Sequence, residues 1–271
     1  MALRSPLPYI CTTCGVQYAP SEVPPALCPI CADDRQYIGP GGQRWTSLPE
    51  LAEKHRNILE RITPEVWAVY TTPAFAIGQR AHLVRTAAGN LLWDCISLFD
   101  RSTKELIDGL GGLRAIALSH PHYLSTILEW SAAFGNIPVY IQALDSDWLG
   151  RMGPAVQLWE GDRLPLWEGL QVIRCGGHFP GASVLYDPRG AGTLFGGDTI
   201  QVAPNEQTVS FMYSYPNMIP LPAPAVRTVG ESVSGLSYEA LYGAFGRYIR
   251  QGADRAVQAS VCRYLRAIGQ E

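Results

Sequence analysis

Short apolar runs separated by turn residues occupy most of the chain, and their period changes along it. Gly39-Pro-Gly-Gly42 marks a break. Just after it, Ser47-Leu-Pro-Glu50 has the form of a helix start. Ser47 serves as N-cap, Pro49 sits in the first turn and Glu50 completes a capping box, and the pattern carries this helix to about Ile62. Trp67–Tyr70, Ala81–Arg85 and Leu91–Trp93 then read as strands, the last two joined by a turn at Gly89-Asn90. A short helix is expected over Ser102–Leu110 and a fully buried strand over Leu113–Leu118. A helix over Ser125–Phe134 and strands at 139–143, 155–158, 170–174, 183–186 and 193–195 follow. Residues 201–235 are rich in proline and lack periodicity, so a long irregular segment is expected there. Two helices, 238–250 and 254–268, close the pattern. This order predicts an α/β sandwich of two sheets flanked by helices.

Composition narrows the function classes. The chain has 271 residues, 24 acids against 21 bases and a net charge of −3, with 47% hydrophobic residues. That balance suits a globular core and argues against disorder. It also argues against a nucleic-acid binder that works by overall charge. No apolar run is long enough to span a membrane. The first ten residues contain two prolines and no apolar stretch, so no secretory leader is expected and a reducing cytoplasmic setting is.

In that setting clustered cysteines read as metal ligands. Four of the seven cysteines, Cys11, Cys14, Cys28 and Cys31, are spaced C-x2-C-x13-C-x2-C. Each pair suits a tight turn that aims two thiolates at one ion, and two pairs make a tetrahedral structural zinc site. The segment is too short for a core of its own, so the metal would supply its fold. The cluster resembles a zinc ribbon, expected over residues 1–46 with a second domain over 47–271. Arg35, Tyr37, Arg44 and Trp45 follow the knuckles without forming a dense basic patch. Bracing, or contact with a protein partner, is therefore expected of the ribbon ahead of nucleic-acid binding. Cys95, Cys175 and Cys262 read as buried core residues, His55 as a solvent-facing helix residue and His82 as a strand residue.

The remaining histidines and one aspartate end strands. His120-Pro-His122 follows the buried strand, and an extended backbone held by Pro121 would point both imidazoles one way. His178 lies in Gly176-Gly-His-Phe-Pro-Gly181, and Asp198 follows Gly196-Gly197. Three histidines and a carboxylate suit zinc or iron(II). Tyr213 and Tyr215 could line the mouth of such a site.

On these residues the chain resembles the metallo-β-lactamase superfamily. The likeness rests on Asp94 after Leu91-Leu-Trp93, on Ser119-His-Pro-His-Tyr-Leu-Ser125, on Gly177-His-Phe-Pro-Gly-Ala-Ser183 and on Gly196-Gly-Asp-Thr199. It spans roughly residues 60–268. The resemblance implies a four-layer αββα sandwich with the metal at the edge between the sheets. It also implies an activity drawn from a set that includes β-lactamases, thioesterases, lactonases, nucleases and sulfur dioxygenases. The chain departs from the family where a second metal is held. The usual His-x-His-x-Asp-His ends here in Leu124 and Ser125, and no histidine follows His178.

One metal ion is therefore expected, on His120, His122, His178 and Asp198. The leading expectation is a mononuclear zinc hydrolase acting on a small ester, lactone, thioester or amide through a metal-bound hydroxide, with Asp198 as ligand or proton acceptor. A tyrosine hydroxyl could assist the oxyanion. A non-catalytic binding or scaffold protein and an iron sulfur dioxygenase-like oxidoreductase are the alternatives. A two-metal nuclease is disfavoured.

Overall fold

The computed structural model describes residues 6–270. Residues 1–5, part of the start read as lacking a leader, lie outside the described residues.

Two sheets face each other. The first has seven strands in chain order: Arg56–Arg61, Val66–Thr72, Ala81–Val84, Leu91–Trp93, Ala115–Ala117, Val139–Gln142 and Val156–Trp159. Its first four strands run antiparallel, and the last three join in parallel through helical crossovers. The second sheet has six strands, in the order Arg163–Pro165, Gln171–Arg174, Ser183–Asp187, Thr193–Gly197, Ala240–Gly243 and Tyr248–Ile249.

Strand alternation divides the core into three layers of side chains. Leu91, Trp93, Ala115 and Ala117 point inward to meet Val172, Leu185, Phe195 and Tyr242 of the other sheet. Their neighbours Leu92, Ile116 and Leu118 point outward, toward helix Ile127–Ala133 and the N-terminal cysteines. On the second sheet Ile173, Val184, Leu194 and Leu241 point outward, under helices Ala223–Val233 and Ala253–Ala267. The result is the expected α, β, β, α layering.

Three expectations are corrected. The helix begun by the Ser47–Glu50 capping box covers only Leu48–Lys54. Residues Arg56–Arg61, assigned to its C-terminal half, form an edge strand instead. Their six-residue pairing with Val66–Thr72, closed by a turn in which Thr63 Oγ1 accepts from the Glu65 and Val66 amides, outweighs local helical propensity. His55 consequently caps the helix, with Nδ1 bonded to the Pro73 carbonyl oxygen at 2.8 Å.

Next, 238–250 is not helical. Ala240–Gly243 and Tyr248–Ile249 form a hairpin that completes the second sheet, and Leu241 and Tyr242 point to opposite layers. Gly243 and Gly246 were the overlooked breakers. Finally, 201–235 is not wholly irregular. It holds two small two-stranded pairs and helix Ala223–Val233. Pro222 and Pro224 fall at that helix's N-cap and first turn, where proline costs nothing. The short edge strand Arg163–Pro165 also went unread.

Candidate metal centre

The four cysteines meet. Cys31 sits on helix Pro29–Ala32 and Cys28 caps it, while Cys11 ends strand Ile10–Cys11 and Cys14 follows in the turn closed at Gly15. Cys11 Sγ lies 3.5 Å from Cys31 Sγ, and Cys14 Sγ lies 3.6 Å from Cys28 Sγ. Disulfide sulfurs would be about 2.05 Å apart. Four thiolates around one zinc stand about 3.8 Å apart, from the Zn–S length of about 2.3 Å. The spacing fits an ion. Gln43 Nε2 donates to Cys11 Sγ at 3.1 Å, and Tyr18 Oη lies 3.0 Å from Cys28 Sγ. Among the remaining cysteines, Cys95 and Cys175 are buried as expected, but Cys262 is exposed on the outer face of the last helix.

A second cluster forms where the strands of both sheets end. His120 and His122 follow Ala115–Ala117 of the first sheet. His178 follows Gln171–Arg174 and Asp198 follows Thr193–Gly197 of the second. Pro121 does not keep the segment extended: His120 is extended (φ −170°, ψ 173°), but Pro121–Tyr123 is one turn of 3-10 helix. The two histidines converge because this turn brings His122 back beside His120, with ring centroids 4.9 Å apart.

Gly176 and Gly177, both at positive φ, give the sharp turn that presents His178. Gly197 (φ +52°) lets the sheets approach closely, since a Cβ there would lie 2.9 Å from Ser119 Oγ.

All four side chains are buried. Asp198 Oδ2 lies 3.5 Å from His120 Nε2, 3.9 Å from His122 Nδ1 and 3.8 Å from His178 Nε2. These three nitrogens and Asp198 Oδ1 are buried and lack hydrogen-bond partners among the described residues. Buried polar atoms normally find partners, so a shared orphan set points to an ion. Four ligands at about 2.1 Å from zinc in a tetrahedron stand about 3.4 Å apart. The residues fit a divalent ion, with Asp198 at or near the fourth corner. Among the described residues these two groups are the ones whose donor atoms converge in this way.

Supporting bonds fix the donors. Ser119 Oγ and His120 Nδ1 are 2.8 Å apart, and His178 Nδ1 lies 3.2 Å from the Met212 carbonyl oxygen. Each ring therefore turns its other nitrogen to the cluster. Asp94 does not touch the cluster. Its Oδ1 accepts from the Ser119 amide at 2.7 Å, and burial pushes its carboxyl up to about 7. Asp145 likewise accepts from the Gly181 amide at 2.8 Å, bracing the His178 loop.

Burial lowers His122 to about 4, against the pull of Asp198, and lowers His178 further. Both are neutral near pH 7, the form a metal needs. Burial opposes charge on Asp198, but the His120 and His122 rings facing its carboxylate, with His178 beside them, hold its carboxyl well below the usual range.

A cleft of about 320 Å³ opens onto His122, His178 and Asp198, with Arg35, Gln36 and Tyr215 in its wall. Tyr215 lines the mouth as expected. Its hydroxyl donates to the Asp198 carbonyl at 3.0 Å and so is already engaged. Tyr213 instead lies under the Arg35 guanidinium, at 4.6 Å. The contributions of Arg35 and Gln36, from beside the cysteine cluster, were missed. The Arg35–His178 contact spans 143 positions and has no local signature.

No protein-family model matches the chain. YmaE of Bacillus subtilis (strain 168), described as uncharacterized, is 46% identical over 268 residues, 97% of each chain. The chain belongs to the YmaE family.

Solved structures reach further. The DIM-1 metallo-β-lactamase aligns with a TM-score of 0.59 and 16% identity, over 77% of this chain and 98% of its own. VMB-1 gives 0.60 and 15%, over 79% and 99%. The metallo-β-lactamase FIM-1 from Pseudomonas aeruginosa, in a mono-zinc form, gives 0.56 and 15%, over 77% and 96%. This YmaE relative therefore has the metallo-β-lactamase fold, with a four-cysteine, ribbon-like site near its start and a His3Asp cluster at the sheet edge. Among the described residues no helix is long and apolar enough to cross a membrane.

Proposed function

We propose that the chain is a mononuclear metal-dependent hydrolase of small esters, lactones, thioesters or amides. The observation that carries this is the buried, unpartnered nitrogens His120 Nε2, His122 Nδ1 and His178 Nε2 gathered around the Asp198 carboxylate, open to a cleft on one side. A divalent ion held there would supply Lewis acidity and lower the pKa of water toward neutrality.

The chain's own residues do the rest. Burial keeps His122 and His178 neutral, so they would hold the ion without proton competition near pH 7. Asp198 carries its negative charge under the same conditions and faces the cleft, where it would serve as the fourth donor to the ion or accept a proton from the attacking water. Tyr215 holds the Asp198 main chain in place through its hydroxyl. Leu124 and Ser125, both buried, stand at the sequence positions where the metallo-β-lactamase pattern has ligands of a second ion, which supports a single ion. The neighbour FIM-1 is described in a mono-zinc form, which supports the single-ion reading.

A second reading is favoured by one distance set. Asp198 Oδ2 stands near the fourth corner of a tetrahedron, and closed four-ligand sites are structural more often than catalytic. On that reading the protein is a non-catalytic binding or scaffold protein.

The experiment loads the purified chain with zinc, and separately with iron(II). Each form is assayed against a panel of the four acyl classes, beside His120→Ala. The proposal expects turnover of at least one class that His120→Ala abolishes. A fully loaded protein that hydrolyses none of them would favour the scaffold reading. Oxygen uptake by the iron form with thiols would replace both.

A further inference from the structure

The segment after the last ribbon cysteine is built into the His3Asp site. Arg35 lies four residues past Cys31, and its side chain is 12% exposed. Its Nε donates to the His178 carbonyl oxygen at 2.7 Å, and its Nη1 pairs with Asp33 Oδ1 at 2.7 Å. The guanidinium lies over the ring of Phe179 at 4.3 Å and over Tyr213 at 4.6 Å. Phe179 is itself buried against all three histidine rings, with centroids 5.1–5.8 Å away.

From the other side, Asn217 Nδ2 donates to the carbonyl oxygens of Asp34 and Gln36, both at 2.8 Å. Three successive residues from the ribbon are thus clamped between the loop that carries His178 and the hairpin of Met212 and Asn217. Met212 supplies the carbonyl that orients the His178 ring.

His178 is therefore fixed from two directions, and one of them leads back to the cysteine cluster. We propose that Arg35 is a positioning residue for His178, and that through it an ion on Cys11, Cys14, Cys28 and Cys31 strengthens binding at the His3Asp site. The inference rests on the reading of that cluster as a metal site. Partners that orient a metal ligand commonly change affinity by about 10–100-fold. Coupling between two sites is reciprocal, so each ion tightens the other by the same factor.

The test titrates cobalt(II) into the full chain with zinc already on the cysteines. The ligand-field absorption of cobalt reports both affinity and geometry at the histidines. Cobalt–thiolate charge-transfer absorption would reveal any exchange at the ribbon. Arg35→Met keeps an apolar stem and removes the forked donor. It is expected to weaken cobalt binding at the histidines by about 10–100-fold and to change its visible spectrum, with zinc retained by the cysteines. Arg35→Lys keeps a cation over Phe179 but cannot span Asp33 and the His178 carbonyl, so an intermediate loss is expected.

A second measurement needs no variant. Wild-type chain whose cysteine site has been stripped and blocked with a thiol reagent is titrated in the same way, and a loss of similar size is expected. It decides the matter alone if Arg35→Met does not fold. Affinity within twofold of wild type and an unchanged spectrum, in Arg35→Met or in the thiol-blocked chain, overturns the inference. A wild-type chain that takes no cobalt beyond its ribbon overturns the metal reading beneath it.

Discussion

Ser119→Ala isolates the orientation of one metal ligand from the ligand itself. In the wild type Ser119 Oγ lies 2.8 Å from His120 Nδ1, and both residues are buried. With Nε2 turned to the cluster, Nδ1 carries the proton and donates it to Oγ. Removing Oγ leaves a buried N–H without its acceptor, at a cost of about 1–3 kcal/mol. The cost falls on the metal-bound state, because the free imidazole can change tautomer or tilt. At about 1.4 kcal/mol per tenfold, the affinity of the His3Asp site should drop by about 5- to 150-fold.

The fold should survive this change. The Ser119 backbone amide keeps its bond to Asp94 at 2.7 Å, and Ser119 still accepts at its carbonyl from the Ser183 amide at 2.8 Å. The assay is chelator competition for zinc at pH 7.5, with far-UV circular dichroism as the control for folding. Zinc affinity within twofold of wild type, in a folded variant, would refute the reasoning that this bond holds the ligand in register.

Two further expectations follow from the same geometry. His82 is buried between Phe195, Tyr242 and Tyr248, and burial lowers its pKa to about 3. The unfolded chain takes up this proton near pH 6.5 and the folded chain does so only near 3, so stability is lost as pH falls through that window. His82→Phe should remove this term: its stability relative to wild type should rise by a few kcal/mol, on the order of the linkage value, between pH 6.5 and 3. A constant difference in urea midpoints across that range would contradict it. Gly197→Ala should lower stability by roughly 1–2 kcal/mol from the left-handed backbone alone. Contact with Ser119 at 2.9–3.0 Å adds to that and should loosen metal binding, and a melting temperature unchanged from wild type would count against it.

The parts of the fold legible in the sequence were short apolar runs bounded by turn residues and one long helical repeat. Strand Leu91–Trp93 follows the Gly89-Asn90 turn and strand Thr193–Gly197 follows Gly190 and Gly192, while helix Ala253–Ala267 buries Val257, Val261 and Leu265 at a spacing of four. Arg56–Arg61 and Ala240–Gly243 were misread because their identity depends on a partner strand rather than on their own pattern.

The candidate site divides in the same way. Cys11, Cys14, Cys28 and Cys31 carry their geometry in their spacing, and the three histidines and Asp198 were visible as chemistry at strand ends. What placed them was not visible. The 3-10 turn at Pro121–Tyr123 and the reach of Arg35 to the His178 carbonyl are products of tertiary packing. Cys11, Cys14, Cys28 and Cys31 share a continuous core with the first sheet, and Arg35 and Gln36 form part of the cleft wall.

The two groups, one of four cysteines and one of His120, His122, His178 and Asp198, should each load an ion of their own. Elemental analysis of the purified wild type beside His120→Ala tests it most directly. The two groups share no ligand, so about two ions per chain are expected in the wild type and about one in the variant, which should keep its ribbon ion. Equal metal content in the two proteins would mean that the His3Asp group holds no ion of its own.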